Sequence, residues 1–212
     1  MSTTSMLESR LQAEFAAYTA RAAKYRATQL QEHEAKEERL ARFIRLLDEL
    51  RDLCRPKLEA LAAQFKDVVK VEPEITPSQR QATFAFESPL AHINLRFRIV
   101  PDNEVRRVVV TYDLEILPIF IDFERHSEIV FPLEQVDHAA IAQWLDDRIV
   151  AFVKVYLSLY ENEYYLKDHM VEDPVVHVRF PKFLAGAKLD CNGQTYYFID
   201  EATKKEFEAK SA

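Results

Sequence analysis

Asp146 and Asp147 stand side by side, the arrangement that general acid–base chemistry would use if both carboxylates reached one substrate. Adjacent residues on a helix point about 100° apart, and Arg148 follows directly, so this pair reads as a solvated helix face. The six histidines offer no better base. His33 lies in a charged helical run, His138 follows a helix cap, and His92 and His126 adjoin strand ends. No Ser, Cys or carboxylate constellation surrounds any of them. His169, His177, Cys191 and Asp168 are the candidate cation ligands, but their spacing matches no zinc pattern. Tyr164-Tyr165, Tyr196-Tyr197 and Phe198 read as packing groups. The expectation is no catalytic residue, no metal and no cofactor.

Glycine excludes whole classes of chemistry. The only two glycines are Gly186 and Gly193, so the first 185 residues contain none. Phosphate-cradling loops of the Walker and Rossmann kinds need glycine where the backbone approaches phosphate, and the hydrolase nucleophile elbow needs it beside a strained turn. Only Cys54 and Cys191 occur, which rules out a disulfide framework or multi-cysteine zinc cluster within one chain and suits a reducing cytoplasm. The 28 Lys+Arg against 35 Asp+Glu give a net charge of -7, which argues against nucleic acid as a partner. Met1 to Leu7 shows no secretory pattern, and no stretch approaches the roughly 18 apolar residues of a membrane span. The chain is expected to be cytoplasmic and free of the membrane.

The elements expected to carry these residues form an α+β fold in three parts: 1–67, 68–166 and 167–212. The first is a helical arm. Leu11, Phe15, Tyr18, Ala22 and Tyr25 step by four and three, and Leu40, Phe43, Leu47, Leu50, Cys54, Leu58, Leu61, Phe65 and Val68 keep nearly the same rhythm. The polar run Gln31 to Arg39 separates them, and Pro56 predicts a kink or a new start. Two arrangements remain open: a bent or antiparallel helical pair folded on a sheet, or a coiled-coil arm that recruits a second subunit through residues such as Leu47 and Leu50.

From Val69 the period changes to two, predicting an antiparallel sheet of four to six strands. Phe84 and Phe86 should face Leu95 and Ile93 across the loop at Ser88 to Ala91. A turn at Pro101 to Glu104 would set Phe97 against Val108 and Leu95 against Val110. Runs Ile119 to Phe123 and Ile129 to Phe131 should add one or two strands. Asp137 then caps a helix carrying Ile141, Trp144, Leu145, Ile149, Phe152, Val153 and Tyr156 on one broad stripe, which should cover the sheet. The same register puts Arg98 opposite Arg107 on the open face, with Arg96 beside them. Like charges so placed are unfavourable unless neutralised, by Asp113, Asp122 and Glu124 or by an acidic partner.

The tail carries Asp173-Pro174-Val175, then Gly193-Gln194-Thr195-Tyr196-Tyr197-Phe198, then Lys204-Lys205-Glu206-Phe207. This pattern resembles the YHS domain, a short module related to the TRASH metal-binding domains, over about the last fifth of the chain. The resemblance implies a role in metal handling, with cysteines as ligands. Here Val176, Ile199 and Thr203 stand at those positions, and apolar Val176 and Ile199 cannot bind a cation. The segment is therefore expected to fold without metal, with short strands near Val175 and Tyr196, a turn at Asn192-Gly193, a helix from Glu201 to Ala209, and an aromatic core of Tyr196, Tyr197, Phe198 and Phe207.

The chain thus reads as a non-enzymatic interaction or assembly module, with a protein partner or a second copy of itself. The alternatives are metal handling or sensing through the tail, and a small-ligand binder or enzyme with a pocket between sheet and helix.

Overall fold

The computed structural model describes residues 3–191 and 193–211. Helix α1 runs from Thr3 to Phe65 without interruption, about 95 Å at 1.5 Å per residue. Pro56 neither ends nor restarts it. The proline is exposed, so the carbonyl that it leaves without a donor can be solvated, while Cys54 and Leu61 on the buried side hold the helix down. The folded-back helical pair is not formed.

Five strands follow in an antiparallel meander of spatial order β1-β2-β3-β4-β5: Val69–Thr76, Gln79–Phe86, His92–Pro101, Arg107–Leu117 and His126–Pro132. Alternation sorts them cleanly. Phe84, Phe86, Ile93, Leu95, Phe97, Ile99, Val108, Val110, Tyr112, Leu114 and Ile116 face one side and are buried. Over that face lie the second half of α1, through Phe43, Leu47, Leu50, Cys54 and Leu61, and helix α2, His138–Leu159, through Ile141, Leu145, Phe152, Tyr156 and Leu159. Phe65 and Phe152 meet Phe86 at ring separations of 4.9 and 4.8 Å, which joins the two helices to β2. The Asp137 carboxylate caps α2 by accepting from the Ala140 amide at 2.9 Å. No helix among the described residues is long and apolar enough to cross a membrane.

The β2–β3 register places Phe86 on Ile93 and Phe84 on Leu95, as the pattern predicts. The β3–β4 register differs: Phe97 faces Tyr112 rather than Val108, and Leu95 faces Leu114 rather than Val110. The turn is responsible. β3 runs on to Pro101, and the Asp102 carboxylate accepts from the Arg106 and Arg107 amides at 2.6 and 3.0 Å, closing the hairpin between Asp102 and Arg107. Val105 takes a left-handed φ of 55°, costly for a β-branched residue, and its burial in the core offsets the strain.

Residues Ile119 to Phe123 do not form a strand. The Tyr165 hydroxyl accepts from the Phe120 amide at 3.1 Å and donates to the Pro118 carbonyl at 2.6 Å, holding this stretch as a loop. After the short helix α3, Glu163–Leu166, the tail builds two hairpins and a helix: β6 Met170–Glu172 with β7 Arg179–Pro181, β8 Ala187–Cys191 with β9 Gln194–Phe198, and α4 Glu201–Ser211. Val175 lies in the turn between β6 and β7, not in a strand. Of the expected Asn192-Gly193 turn, Asn192 falls outside the described residues, and Gly193 has the positive φ of 79° that favours glycine.

Candidate functional site

From Met6 to Glu34 every side chain of α1 except Ala22 is exposed, and contact with the body begins near Arg39, whose Nε donates to the Glu104 carbonyl at 3.1 Å. Within that free length Leu11, Phe15, Tyr18 and Tyr25 are 50%, 71%, 67% and 66% exposed. They form an apolar stripe on an uncovered helix, about 50 Å long counting 1.5 Å per residue from Thr3. The second run behaves differently. Leu47 and Leu50, expected on an intersubunit contact, are fully buried within the chain, because a helix lying on a sheet needs an apolar face of the same period.

A concave feature sits where α1 crosses the edge of the sheet. Small side chains, Ala62 on α1 and Ala82 on β2, leave an apolar cleft of about 470 Å³. Leu58, Val71, Phe84, Phe97 and Ile99 line it, and Arg51, Arg55, Glu59 and Arg80 stand among its lining residues. Asp48 takes Arg80 at 3.1 Å and lies 3.5 Å from Arg51, while Glu59 takes Arg55 at 2.7 Å, so these cations are paired within the chain. Cys54 also lines the cleft. Burial pushes its thiol up to about 11, outweighing the lowering by the Lys57 charge, so it is protonated and unreactive at neutral pH. Iodoacetamide is therefore expected to modify Cys191 and spare Cys54 in the folded protein; equal labelling of both, read by mass spectrometry, would contradict that burial.

On the open face the altered β3–β4 register separates the arginines. Arg98 faces Thr111 and Gln81, Arg96 faces Asp113 and Thr83, and Arg107 faces Pro132, with its Nε on Asp102 at 3.2 Å. Arg98 and Arg107 are thus not opposed. Glu74 beyond Gln81, Glu128 beyond Thr111, and Asp113 place acids around the two central arginines. Asp146 accepts from Lys57 at 2.6 Å and Asp147 from Gln143 at 3.0 Å, a pair of separate surface contacts, not a dyad.

Among the described residues one carboxylate is wholly buried, that of Asp173 in the tail. Its Oδ1 accepts from the Val175 and Val176 amides at 2.8 and 3.3 Å, and its Oδ2 from the Ile199 amide at 2.9 Å. Burial alone would raise its pKa. The Ile199 and Val175 amides, with the Thr203 hydroxyl, reverse that and hold it below the usual carboxylate value. One side chain therefore ties the β6–β7 turn to the junction of β9 and α4. Sequence reasoning passed over this role, although an Asp before Pro-Val is a recognisable turn signal. Phe198 is fully buried and Phe207 packs on it and on Tyr196, at 5.4 and 4.9 Å, whereas Tyr197 is half-buried under Lys188. His177 contacts Glu172 at 2.9 Å, and among the described residues no three His, Cys, Asp or Glu side chains converge as metal ligands. His33 pairs with Glu37, His92 with Asn94 and His138 with Glu49, and His126 lies between Asp113 and Glu128. His169 is half-buried beside the Phe183 ring, and its Nδ1 has no hydrogen-bond partner among the described residues.

These features define an α+β body with a projecting helix and a small carboxylate-tied tail. No protein family, curated protein or solved structure matches the chain.

Proposed function

We propose that this protein is a non-enzymatic assembly module that associates with a second copy through the free length of α1. The observation that carries this reading is the exposed stripe Leu11, Phe15, Tyr18 and Tyr25 on a helix that the body leaves uncovered. Burying each such side chain is worth roughly 1.5 to 3 kcal/mol, so the four together are a strong drive to associate. Light scattering at micromolar concentration is expected to give a dimer mass, and Phe15→Glu with Tyr18→Glu a folded monomer with an unchanged melting temperature. A monomer at all concentrations would end this reading.

In the tail the reading is a YHS-like module that has exchanged metal for a carboxylate. Its support is that Asp173 makes the cross-tie while Val176 and Ile199 occupy the positions implied for ligands.

The cleft between α1 and the sheet supports a second reading, in which the body takes a small apolar ligand. A fluorescent apolar probe such as bis-ANS should then bind saturably at one per chain, and Ala82→Leu, which fills the cleft, should abolish it. Binding without saturation, or unchanged in the variant, would remove this reading.

A further inference from the structure

We infer that the two copies pair antiparallel, with the arms crossing between Phe15 and Tyr18, an inference that rests on the self-association proposed above. The heptad frame comes from the exposed stripe: Phe15 and Ala22 fall at a, Leu11, Tyr18 and Tyr25 at d, Glu14 and Arg21 at g, and Thr19 and Arg26 at e. Charge and side-chain size then choose the orientation.

In a parallel, in-register pair each g residue meets the following e residue of its partner. Arg21 would meet Arg26 twice, Glu14 would meet only Thr19, and the stripe would continue into Gln29 and Glu32 at a and d, setting one Glu32 against the other in the seam. Antiparallel pairing removes each conflict. With Phe15 layered on Tyr18 of the second copy, g residues flank g residues, so Glu14 meets Arg21 twice by symmetry. Leu11 then layers on Ala22, a large side chain on a small one, and Gln12 faces Thr19. Tyr25 covers Glu8, the one acidic residue this overlap brings into the seam, and its hydroxyl can donate to that carboxylate. The two Glu32 side chains are far apart in this arrangement.

The pairing also keeps the rest of the molecule out of the contact. The bodies begin near Arg39 on each arm and leave the crossing point in opposite directions, so neither sheet has to move to admit the second chain.

The test is charge reversal in the full-length protein, read by sedimentation equilibrium. Glu14→Arg and Arg21→Glu are each expected to weaken the dimer about tenfold, since each turns two attractions into two repulsions, and the double variant should recover most of that loss. A parallel pair predicts otherwise: Arg21→Glu would relieve its clash with Arg26 and tighten the dimer, and Glu14→Arg would change little. Tightening or no change for Arg21→Glu in a protein that still dimerises overturns the antiparallel arrangement and leaves self-association standing. A wild-type chain that stays monomeric overturns both.

Discussion

Replacing Leu47 and Leu50 by Glu is expected to unfold the body, not to release a folded monomer. Both side chains have no exposed surface and lie between α1 and the sheet, among Phe43, Phe84 and Leu95. Leu47→Ala alone should cost about 2 to 5 kcal/mol, from lost transfer energy and the cavity left behind. A glutamate there adds the burial of an unpaired charge. Urea denaturation followed by circular dichroism measures the single variant, and a native-like cooperative transition in the double glutamate variant would contradict this packing. The arm behaves differently: Phe15→Glu lies in water in one copy and should change the stability of the body by less than about 0.5 kcal/mol.

Asp173→Ala should release the tail from its cross-tie. Three backbone amides lose their acceptor at once, and a buried donor left unsatisfied costs on the order of 1 to 3 kcal/mol. Hydrogen exchange at the Ile199 amide is the direct readout, and protection that survives the substitution would sink the assignment. The same carboxylate gives the tail a pH dependence. Its folded pKa lies below the ordinary value, so its contribution is complete above the unfolded carboxylate range, near 4, and is lost as pH falls through the lower folded value. The wild-type tail should loosen at that acidic limb. Asp173→Asn, with nothing to titrate there, should lose this component of the acid transition.

Much of the fold was legible because strand alternation and helical period are written directly in apolar positions. The β2–β3 pairing, the Asp137 cap and the buried stripe of α2 follow from such patterns. The β3–β4 register escaped because sliding a strand by an even number of residues keeps every apolar side chain on the same face. Phe97 is as well matched by Val108 as by Tyr112. What decides is the Asp102 carboxylate and a valine in a left-handed conformation, neither of which alternation records. The displaced Arg98–Arg107 pair was a consequence of that slip. Leu47 and Leu50 misled for a related reason: over a few turns, a heptad seam and a sheet-facing helix stripe have nearly the same spacing. Only the partner surface separates them, and the sheet is the partner for the second run while the first has none among the described residues. A pocket between sheet and helix was named only as an alternative, and its place and lining were not legible, because it is made by the smallness of Ala62 and Ala82, and alanine carries no period of its own.

The unbroken α1 also governs how the molecule moves through solution. A compact chain of this length would have a radius of gyration near 17 Å, whereas α1 alone is about 95 Å from end to end. Drag is set by that rod more than by the body at its end. A single copy should therefore migrate through a gel-filtration column well ahead of its 24.7 kDa mass and tumble much more slowly end over end than about its long axis. An antiparallel pair crossing between Phe15 and Tyr18 would place the two bodies at opposite ends of a rod about 145 Å long, against about 95 Å for one copy. Elution volume will then report shape as much as mass, whereas scattered light weighs the particle regardless of shape and will separate one copy from two.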